Sequence, residues 1–299
     1  KGEHLVLEAD EWNRSFLHYS PAITLLTNID REHLDTYKNL GDVKKTFLKF
    51  LRNTEENGAL VLNRDDKNLY SLRSPIQKIA TRKKLKVIWY SVKNPIAKKI
   101  KKIMKIPGIH NVSNAIGSYV LATKVLGITP KIALKVISGY RGAWRRIEYR
   151  GNYQLLTTNY QLPVYDDYAH HPTEIKATLS AFREKFPNRK LICVYQPHQA
   201  KRLEALFTEF QTAFADADIT LILPVYEVAG RDKVNSKYNS ETLVRAIQKK
   251  YPKRSVFYLK DPKKLKKAIR MLLHPRGSTR TSTRIDADPS NNIGVNQRT

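Results

Sequence analysis

Short apolar runs alternate with amphipathic stretches along the first half of the chain. Residues 4–7 (His-Leu-Val-Leu) and 22–26 have the composition of buried strands, and the apolar residues of 42–51 recur at helical spacing. The same patterns predict strands at 59–62 and 87–90, a long helix from His110 that stops near Gly127, and a helix over 130–137.

The second half repeats this alternation. A strand ends at Val164-Tyr165, and Pro172 opens a helix. Strands are predicted at 191–195, 219–223 and 256–259, separated by helices at 203–214 and 240–248. Such alternation is typical of an α/β protein whose parallel sheets are covered by helices on both faces. Ligands of these sheets bind where the strands end.

A length of 299 residues with 41% hydrophobic content suggests two domains. Because residues 138–151 are rich in Gly and Arg, the predicted boundary falls between 148 and 149. The first domain, 1–148, is expected to be incomplete at its N-terminus, since the chain opens directly into a predicted strand. The second spans 149–274. Residues 275–299 lack any apolar period and are predicted to be disordered, or to come from a shifted reading frame.

The chain is strongly basic, with a formal net charge of +27. Its cationic residues mostly interleave with apolar positions, as on solvated helix faces, and no nucleic-acid-binding signature accompanies them. We therefore expect no nucleic-acid partner. Without an apolar run long enough for a membrane span, and without a signal peptide, the expected location is the cytoplasm with no membrane partner. The single cysteine, Cys193, lies in an apolar run and is interpreted as a buried hydrophobic residue.

Polar clusters follow the predicted strands. Glu8-Ala9-Asp10-Glu11 comes directly after the first strand, and residues 30–35, which include His33, follow the second. Carboxylates and an imidazole at neighbouring strand ends could hold a divalent cation such as Mg²⁺. They could also be solvated turn and cap residues, and their spacing alone favours that second interpretation.

Three further clusters lie at predicted strand or helix ends. His110-Asn111-x-x-Asn114 begins a helix, where its side chains could contact a base or cap the helix. Residues 166–174, Asp-Asp-Tyr-Ala-His-His-Pro-Thr-Glu, place doubled Asp and doubled His at a strand-to-helix junction. Residues 196–202, Gln-Pro-His-Gln-Ala-Lys-Arg, bring cationic and amide donors that could hold a carboxylate.

In this order, together with Arg145-Arg146-Ile147-Glu148, the clusters resemble those of the Mur ligase family. Within the family they are most similar to the members that add L-alanine to UDP-N-acetylmuramate. The resemblance implies a central ATP-binding three-layer α/β domain, a Rossmann-like C-terminal domain, and ATP and Mg²⁺ as cofactors. It also implies a role in peptidoglycan precursor synthesis: ATP converts the muramoyl carboxylate into an acyl phosphate, which the amine of L-alanine then attacks.

The resemblance assigns roles to individual residues. Glu8 and His33 match magnesium ligands, and with Arg146 they form the implied catalytic set. His110, Asn111 and Asn114 match contacts to adenine, while Arg146 matches a contact to the ATP phosphates and Asp167 a contact to the ribose. The incoming amino acid is expected to be held by His170 and Arg202.

The sequence departs from the family pattern in one major respect. None of its 12 glycines is followed by Lys-Ser or Lys-Thr, so the family's glycine-rich phosphate loop is not found, and neither is the UDP-sugar domain that precedes it. The chain as given is therefore predicted to be an inactive fragment. Gln199 stands where the alanine-adding members often have Arg. Two alternatives remain: a ligase that attaches a recycled tripeptide to UDP-N-acetylmuramate, and a non-catalytic remnant that binds nucleotide or nucleic acid.

Overall fold

A computed structural model of the chain describes residues 4–33, 35–154, 161–226, 235 and 237–273. The chain divides into two compact units between Arg141 and Gly142. The predicted disordered tail, 275–299, lies outside the described residues.

The first unit is built on a parallel sheet in which three strands lie side by side in chain order. These are β1 (Ile23–Leu26), β2 (Ala59–Asn63) and β3 (Lys86–Tyr90). The helices are α1 (Leu40–Asn53), α2 (Lys67–Tyr70), α3 (Arg73–Lys83), α4 (Ile96–Ile103), α5 (Ile109–Lys124) and α6 (Pro130–Gly139), and a 3₁₀ segment covers Trp12–His18. Since parallel strands need long crossovers, the helices between them are what the topology requires.

Two hydrophobic layers sandwich this sheet, and β2 is buried along its whole length. Successive side chains of a strand point to opposite faces. Leu60 and Leu62 accordingly pack in a layer with α1 and α3, whereas Val61 packs with α4 and α5. Each such buried aliphatic side chain contributes about 1.5–3 kcal/mol.

Glycine permits two close approaches in the first unit. A Cβ at Gly58 would lie 2.4 Å from the carbonyl oxygen of Ala22, so only glycine allows the chain to turn into β2 beside β1. A Cβ at Gly117 would lie 2.9 Å from the ring of Tyr90, so glycine also lets α5 lie close to the sheet.

The buried strand predicted at residues 4–7 is wrong. Leu5 and Val6 are 91% and 92% exposed, and residues 4–7 are not in a strand. A strand needs a neighbouring backbone to satisfy its N–H and C=O groups. No described strand pairs with this run, so its apolar composition alone does not produce the element.

The second unit contains a parallel sheet and a separate antiparallel pair. The parallel strands, again in chain order, are β6 (Ile192–Tyr195), β7 (Ile219–Ile222) and β8 (Ser255–Tyr258). The pair consists of β4 (Glu148–Gln154) and β5 (Gln161–Asp166). The helices are α7 (Pro172–Lys185), α8 (Ala200–Ala205), α9 (Phe207–Ala213), α10 (Ser240–Lys250) and α11 (Leu265–Leu273). The α/β class is confirmed, but the expectation of parallel strands throughout is corrected by β4 and β5.

Two smaller features complete the fold. The helix predicted at 203–214 is divided into α8 and α9 at Leu206. Cys193 lies in β6, where burial raises the pKa of its thiol to about 12 and disfavours a nucleophilic thiolate. Among the described residues, no helix is both long and apolar enough to cross a bilayer.

Candidate functional site

The carboxyl ends of β1, β2 and β3 meet at one edge of the first sheet, where polar side chains link the loops. The Asn63 amide donates to the carbonyl oxygen of Thr27 at 2.9 Å and to Oγ of Ser113 at 3.3 Å. It thereby joins the ends of β1 and β2 to helix α5. Asp65 accepts hydrogen bonds from Oγ of Ser91 and the N–H of Val92, both at 2.7 Å. These bonds hold the loops in place at the carboxyl ends of the strands, which is where α/β sheets bind ligands.

The loop after β1 is held by Asp66, whose Oδ1 accepts hydrogen bonds from the backbone N–H groups of Leu69 at 2.6 Å and Ile29 at 3.3 Å. Burial raises the pKa of Asp66, against the effect of these two donors. Asn68 donates to the carbonyl oxygen of Ile29 at 2.8 Å. Hydrogen bonds to Asp66, the N-cap of α2, and from Asn68 in α2 therefore hold the segment that leads to His33.

Within the first unit, Asp10, Glu11 and His33 form a compact cluster of potential metal ligands. One ligand atom from each lies within 4.8 Å of the others. Nε2 of His33 lies 3.3 Å from Oε1 of Glu11. Their hydrogen bond raises the pKa of His33, although burial alone would lower it, and the same bond lowers the pKa of Glu11. Both shifts favour a charged Glu11 carboxylate beside a protonated His33 imidazolium.

Backbone conformation and one buried tyrosine fix this cluster. His33 has a φ of 51°, in the left-handed region that costs a non-glycine residue about 1 kcal/mol. Its carbonyl oxygen accepts hydrogen bonds from the N–H groups of Thr36 at 2.8 Å and Tyr37 at 2.9 Å, which stabilise the turn. The Tyr37 hydroxyl donates to the carbonyl oxygen of Glu11 at 2.6 Å, and burial raises the pKa of Tyr37 to about 12. The two halves of the cluster are therefore tied together across 22 positions of sequence.

The donor set suits a divalent cation. Carboxylate oxygens are the preferred ligands of Mg²⁺, and opposite ligands of an ion with bonds of about 2.1 Å lie roughly 4.2 Å apart. The spacing of up to 4.8 Å requires only a small contraction. One oxygen of Asp10 already accepts the N–H of Trp12 at 2.8 Å, which orients the carboxylate. The residues present fit such an ion.

Glu8, the carboxylate predicted to bind the metal, is exposed and is not a member of this cluster. The structure brings His33 together with Asp10 and Glu11 instead. Both acids were part of the quoted Glu8–Glu11 run, but one-dimensional spacing could not decide which of its carboxylates faces the imidazole. The role of Glu8 stays a prediction.

The residues predicted to contact adenine lie in the first two turns of α5. Asn111 donates from its amide to the carbonyl oxygen of Pro107 at 2.7 Å, so part of its hydrogen-bonding capacity fixes the loop before the helix. His110 is partly buried and Asn114 is exposed. Ser113, which lies between them in sequence, is the residue bonded to Asn63 at the sheet edge. Their nucleotide contacts stay predictions.

In the second unit, Arg145 and Arg146 flank the exposed ring of Tyr168. Their guanidinium carbons lie 5.1 Å and 5.7 Å from its centroid. Arg145 also donates to Asp166 at 3.1 Å, and Nη1 of Arg146 lies 3.8 Å from Oε1 of Glu174. Arg145 itself has a φ of 52°. The arrangement presents two oriented cations and an aromatic face, which suits a phosphate or another anion.

Asp167 is surrounded by hydrogen-bond donors of its own unit. Its carboxylate accepts from the N–H of Ile147 at 2.8 Å, the N–H of Ala169 at 2.9 Å and Oγ1 of Thr178 at 3.1 Å. It therefore joins the start of β4 to α7. A contact of Asp167 with a ribose, as predicted, would have to share a carboxylate that already has three partners.

Two neighbouring residues build the start of α7. His171 is its N-cap, and the Glu174 carboxylate accepts the N–H groups of His170 at 3.0 Å and His171 at 3.2 Å, completing a capping box. Burial by itself would raise the pKa of Glu174, but these N–H groups and the charges of His170 and Arg146 together lower it. Nδ1 of His170 lies 2.9 Å from the carbonyl oxygen of Tyr168.

Arg202, predicted to hold the amino acid, is only 7% exposed. It donates from Nη1 to the carbonyl oxygen of His198 at 3.2 Å, at the start of its own helix α8. Gln199, the helix N-cap, has a φ of 69°. The ring of His198 stacks on Tyr226 with centroids 5.4 Å apart. His170 is thus the more accessible of the two predicted amino-acid contacts.

Sequence reasoning did not assign a role to Tyr168 or Glu174. Both stand inside the quoted 166–174 cluster, but neither an aromatic ring between two arginines nor a capping carboxylate can be recognised without the fold. For Glu174, the spacing of three residues from the N-cap was the available signal.

Two family models match the chain. The Mur ligase middle domain matches residues 1–122, and the Mur ligase glutamate ligase domain matches residues 146–278.

Curated relatives agree with these models. The UDP-N-acetylmuramate–L-alanine ligase of Sulfurihydrogenibium sp. (strain YO3AOP1) is 36% identical over 259 residues, covering 83% of this chain and 55% of that protein. That of Persephonella marina (strain DSM 14350 / EX-H1) is 35% identical over 285 residues, covering 91% and 59%. That of Pelagibacter ubique (strain HTCC1062) is 33% identical, covering 80% and 55%. The chain spans about half the length of the curated relatives it matches.

Solved structures share the fold. The UDP-N-acetylmuramate-alanine ligase of Thermotoga maritima has a TM-score of 0.56 at 22% identity, covering 84% of this chain and 54% of that one. MurF from Acinetobacter baumannii has a TM-score of 0.61 at 14% identity, covering 87% and 55%. At these identities the likeness concerns the fold alone.

Proposed function

Because this chain belongs to the Mur ligase family, we propose that it is the ATP- and amino-acid-binding part of a ligase that joins L-alanine to the carboxylate of UDP-N-acetylmuramate. The observation that carries the proposal is the set of relatives, 33–36% identical over at least four fifths of this chain, that bear the L-alanine ligase name. The reaction belongs to peptidoglycan precursor synthesis, and we assign it to the cytoplasm.

Mg²⁺ is the proposed cation of the first unit, held by His33 with Glu11 and Asp10. Bound there, it would neutralise charge on the phosphates of ATP. His33 and Glu11 are already within hydrogen-bonding distance. Their left-handed turn and the Tyr37 contact preorganise the ligands, so less conformational freedom is lost on binding.

The proposed reaction has two steps. The muramoyl carboxylate attacks the γ-phosphorus of ATP and releases ADP, and the amine of L-alanine then attacks the acyl carbon and displaces phosphate. His110, Asn111 and Asn114 are the proposed adenine contacts, and Asp167 the proposed ribose contact. Arg146 would stabilise negative charge on the phosphates through its guanidinium group. His170 and Arg202 are the proposed contacts of the amino acid.

Ligand binding by the chain itself tests its share of this function. L-alanine, D-alanine and the tripeptide L-alanyl-γ-D-glutamyl-meso-diaminopimelate would each be titrated in a calorimeter. We expect L-alanine to bind and D-alanine to bind at least tenfold more weakly. His170→Ala should abolish the preference, whereas His18→Ala, at an exposed histidine of the other unit, should not change it. Binding of the tripeptide but not of L-alanine would favour the recycling ligase.

Catalysis is tested separately. We expect no alanine-dependent ADP formation by this chain alone, because it offers no glycine-rich loop for the β- and γ-phosphates. A polypeptide that also supplies the loop and a UDP-sugar domain should release phosphate only when both UDP-N-acetylmuramate and L-alanine are present. Phosphate release that does not depend on L-alanine would contradict the proposal.

A further inference from the structure

The charge of the first unit is divided unevenly along its sequence. Residues 1–66 contain 12 Asp and Glu and 9 Lys and Arg. Residues 67–141 contain 17 Lys and Arg and no Asp or Glu. A solvated surface normally mixes both signs, because interspersed charges avoid a large single-sign field. The second stretch, which forms α2 to α6 and β3, therefore needs an explanation beyond solubility.

Helix α4 turns its lysines outward. Ala97 and Ile100 are buried in the layer that α4 shares with α5 and with Leu134 and Ile137 of α6. The opposite side of α4 carries four exposed lysines: Lys98, Lys99, Lys101 and Lys102. Helix α4 also packs against α6, so the lysines of α4 and the outer side of α6 belong to neighbouring helices of the same layer.

An apolar stripe crosses the outer side of α6. Ile132 and Val136, four residues apart on α6, are 54% and 68% exposed, and Ile128 and Tyr140, just outside the two ends of the helix, are 38% and 49% exposed. Residues four apart lie on the same side of a helix. Lys131 and Lys135, both exposed, flank the stripe. A row of exposed apolar side chains bordered by cations is unfavourable in water unless something covers it.

We propose that this lysine-bordered face of α4 and α6 docks on the surface of an anionic lipid bilayer. Lysines attract the anionic headgroups, while the stripe enters the boundary between headgroups and acyl chains. The chain thus binds a membrane at its surface without crossing it, which revises the expectation of no membrane partner. A nucleic acid would complement the charge but would leave the four apolar side chains without a role. The inference does not depend on the proposed ligase activity.

Vesicle sedimentation of the full chain tests the proposal. At 0.1 M salt we expect binding to vesicles of equal parts phosphatidylglycerol and phosphatidylcholine, and none to phosphatidylcholine alone. Each lysine near an anionic surface contributes about fivefold to binding. The combined variant K98Q/K99Q/K101Q/K102Q should therefore bind at least about 50-fold more weakly. The matched control, K190Q/K249Q/K250Q/K263Q, removes the same charge from exposed lysines of the second unit and should lose less than fivefold.

A second variant separates the apolar contribution. I132S/V136S should weaken binding about tenfold and keep the dependence on salt, because it leaves every lysine in place. Circular dichroism would check that both variants fold like the parent chain. Equal losses in the α4 variant and its control would overturn the proposal, as would a stripe variant that binds like the parent. Absence of vesicle binding, with tight binding to a DNA duplex that the α4 variant loses, would also overturn it in favour of a nucleic-acid partner.

Discussion

The acidic clusters of the two units contain the same kinds of side chain but use them differently. In the first unit, Glu11 and His33 come from distant segments, and the carboxylate is paired with the imidazole. In the second unit, Asp167 and Glu174 direct their carboxylates mainly at backbone N–H groups, four of them in total. Similar compositions therefore produce a potential ion site in one unit and a structural junction in the other.

This difference helps to distinguish carboxylates that stabilise the fold from carboxylates that can bind a cation. A carboxylate that accepts backbone N–H groups stabilises the fold, because those donors are costly to leave without a partner. A carboxylate whose main partner is another side chain, as Glu11 has in His33, can exchange that partner for a cation. The doubled Asp and His of the second unit are the more conspicuous cluster in the sequence. More of the hydrogen-bonding capacity of that cluster, however, is used to stabilise the fold.

The largest expected effect comes from removing the junction in the second unit. Asp167→Ala would leave the N–H groups of Ile147 and Ala169 and the Thr178 hydroxyl without their acceptor. We expect the free energy of unfolding to fall by about 3 kcal/mol, at the upper end of the cost of losing a charged hydrogen-bond partner. Urea unfolding followed by circular dichroism would measure it. Asp216→Ala, in the same unit but outside the cluster, is the control; a loss below 1 kcal/mol for Asp167→Ala would refute the structural role.

The ion site of the first unit should show its largest effect in binding rather than stability. Glu11→Gln removes the carboxylate charge but keeps the side-chain size, and we expect the affinity for Mn²⁺, used as a paramagnetic probe, to fall about 30-fold, or roughly 2 kcal/mol. Glu56→Gln, at an exposed acid of the same unit, should leave the affinity unchanged.

The same titration tests Glu8. If the cluster of Asp10, Glu11 and His33 binds the ion, Glu8→Gln should reduce the affinity less than threefold. A loss for Glu8→Gln as large as that for Glu11→Gln would instead favour the ligand implied by the family resemblance. It would mean that residues 4–8 bind the ion in a different conformation from the exposed one seen here.

Most elements of both sheets could be predicted because their patterns are local. The apolar runs at 59–62 and 219–223 are strands within one residue of the prediction, and Pro172 does open α7. Residues 67–83 and 96–103 have no predicted element, because their basic composition resembles turn-rich sequence, although the apolar residues of 96–103 keep a helical spacing. The segment that forms β4 is predicted as a domain boundary, since its Gly and Arg content resembles that of a linker.

The candidate site was predictable only as a set of clusters. Which carboxylate faces His33 depends on the turn with positive φ at that residue and on the Tyr37 contact, and neither has a signature in the sequence. The burial of Arg202 follows from the packing of α8 and is likewise invisible in the pattern of residues 196–202.

The smaller of the two expected effects on stability concerns pH and the capping box. The pKa of Glu174 is lowered in the folded chain, so its contribution is fully present above the ordinary Glu value of about 4.3 and is lost as pH falls through the lowered value. Glu174→Gln should therefore cost about 1 kcal/mol at pH 7, as expected for loss of a capping interaction. Thermal unfolding of both proteins should show the difference shrinking as the pH is lowered from 5 to 3.

Glu241→Gln is the matched control for that series, because Glu241 lies in the first turn of α10 but is not the capping-box residue of that helix. It should cost less than Glu174→Gln at pH 7. If the difference in stability between the parent chain and Glu174→Gln stays constant down to pH 3, the carboxylate does not act through its charge. The difference between the two units would then have no electrostatic basis. If it grows toward low pH, the direction of the pKa shift itself is wrong.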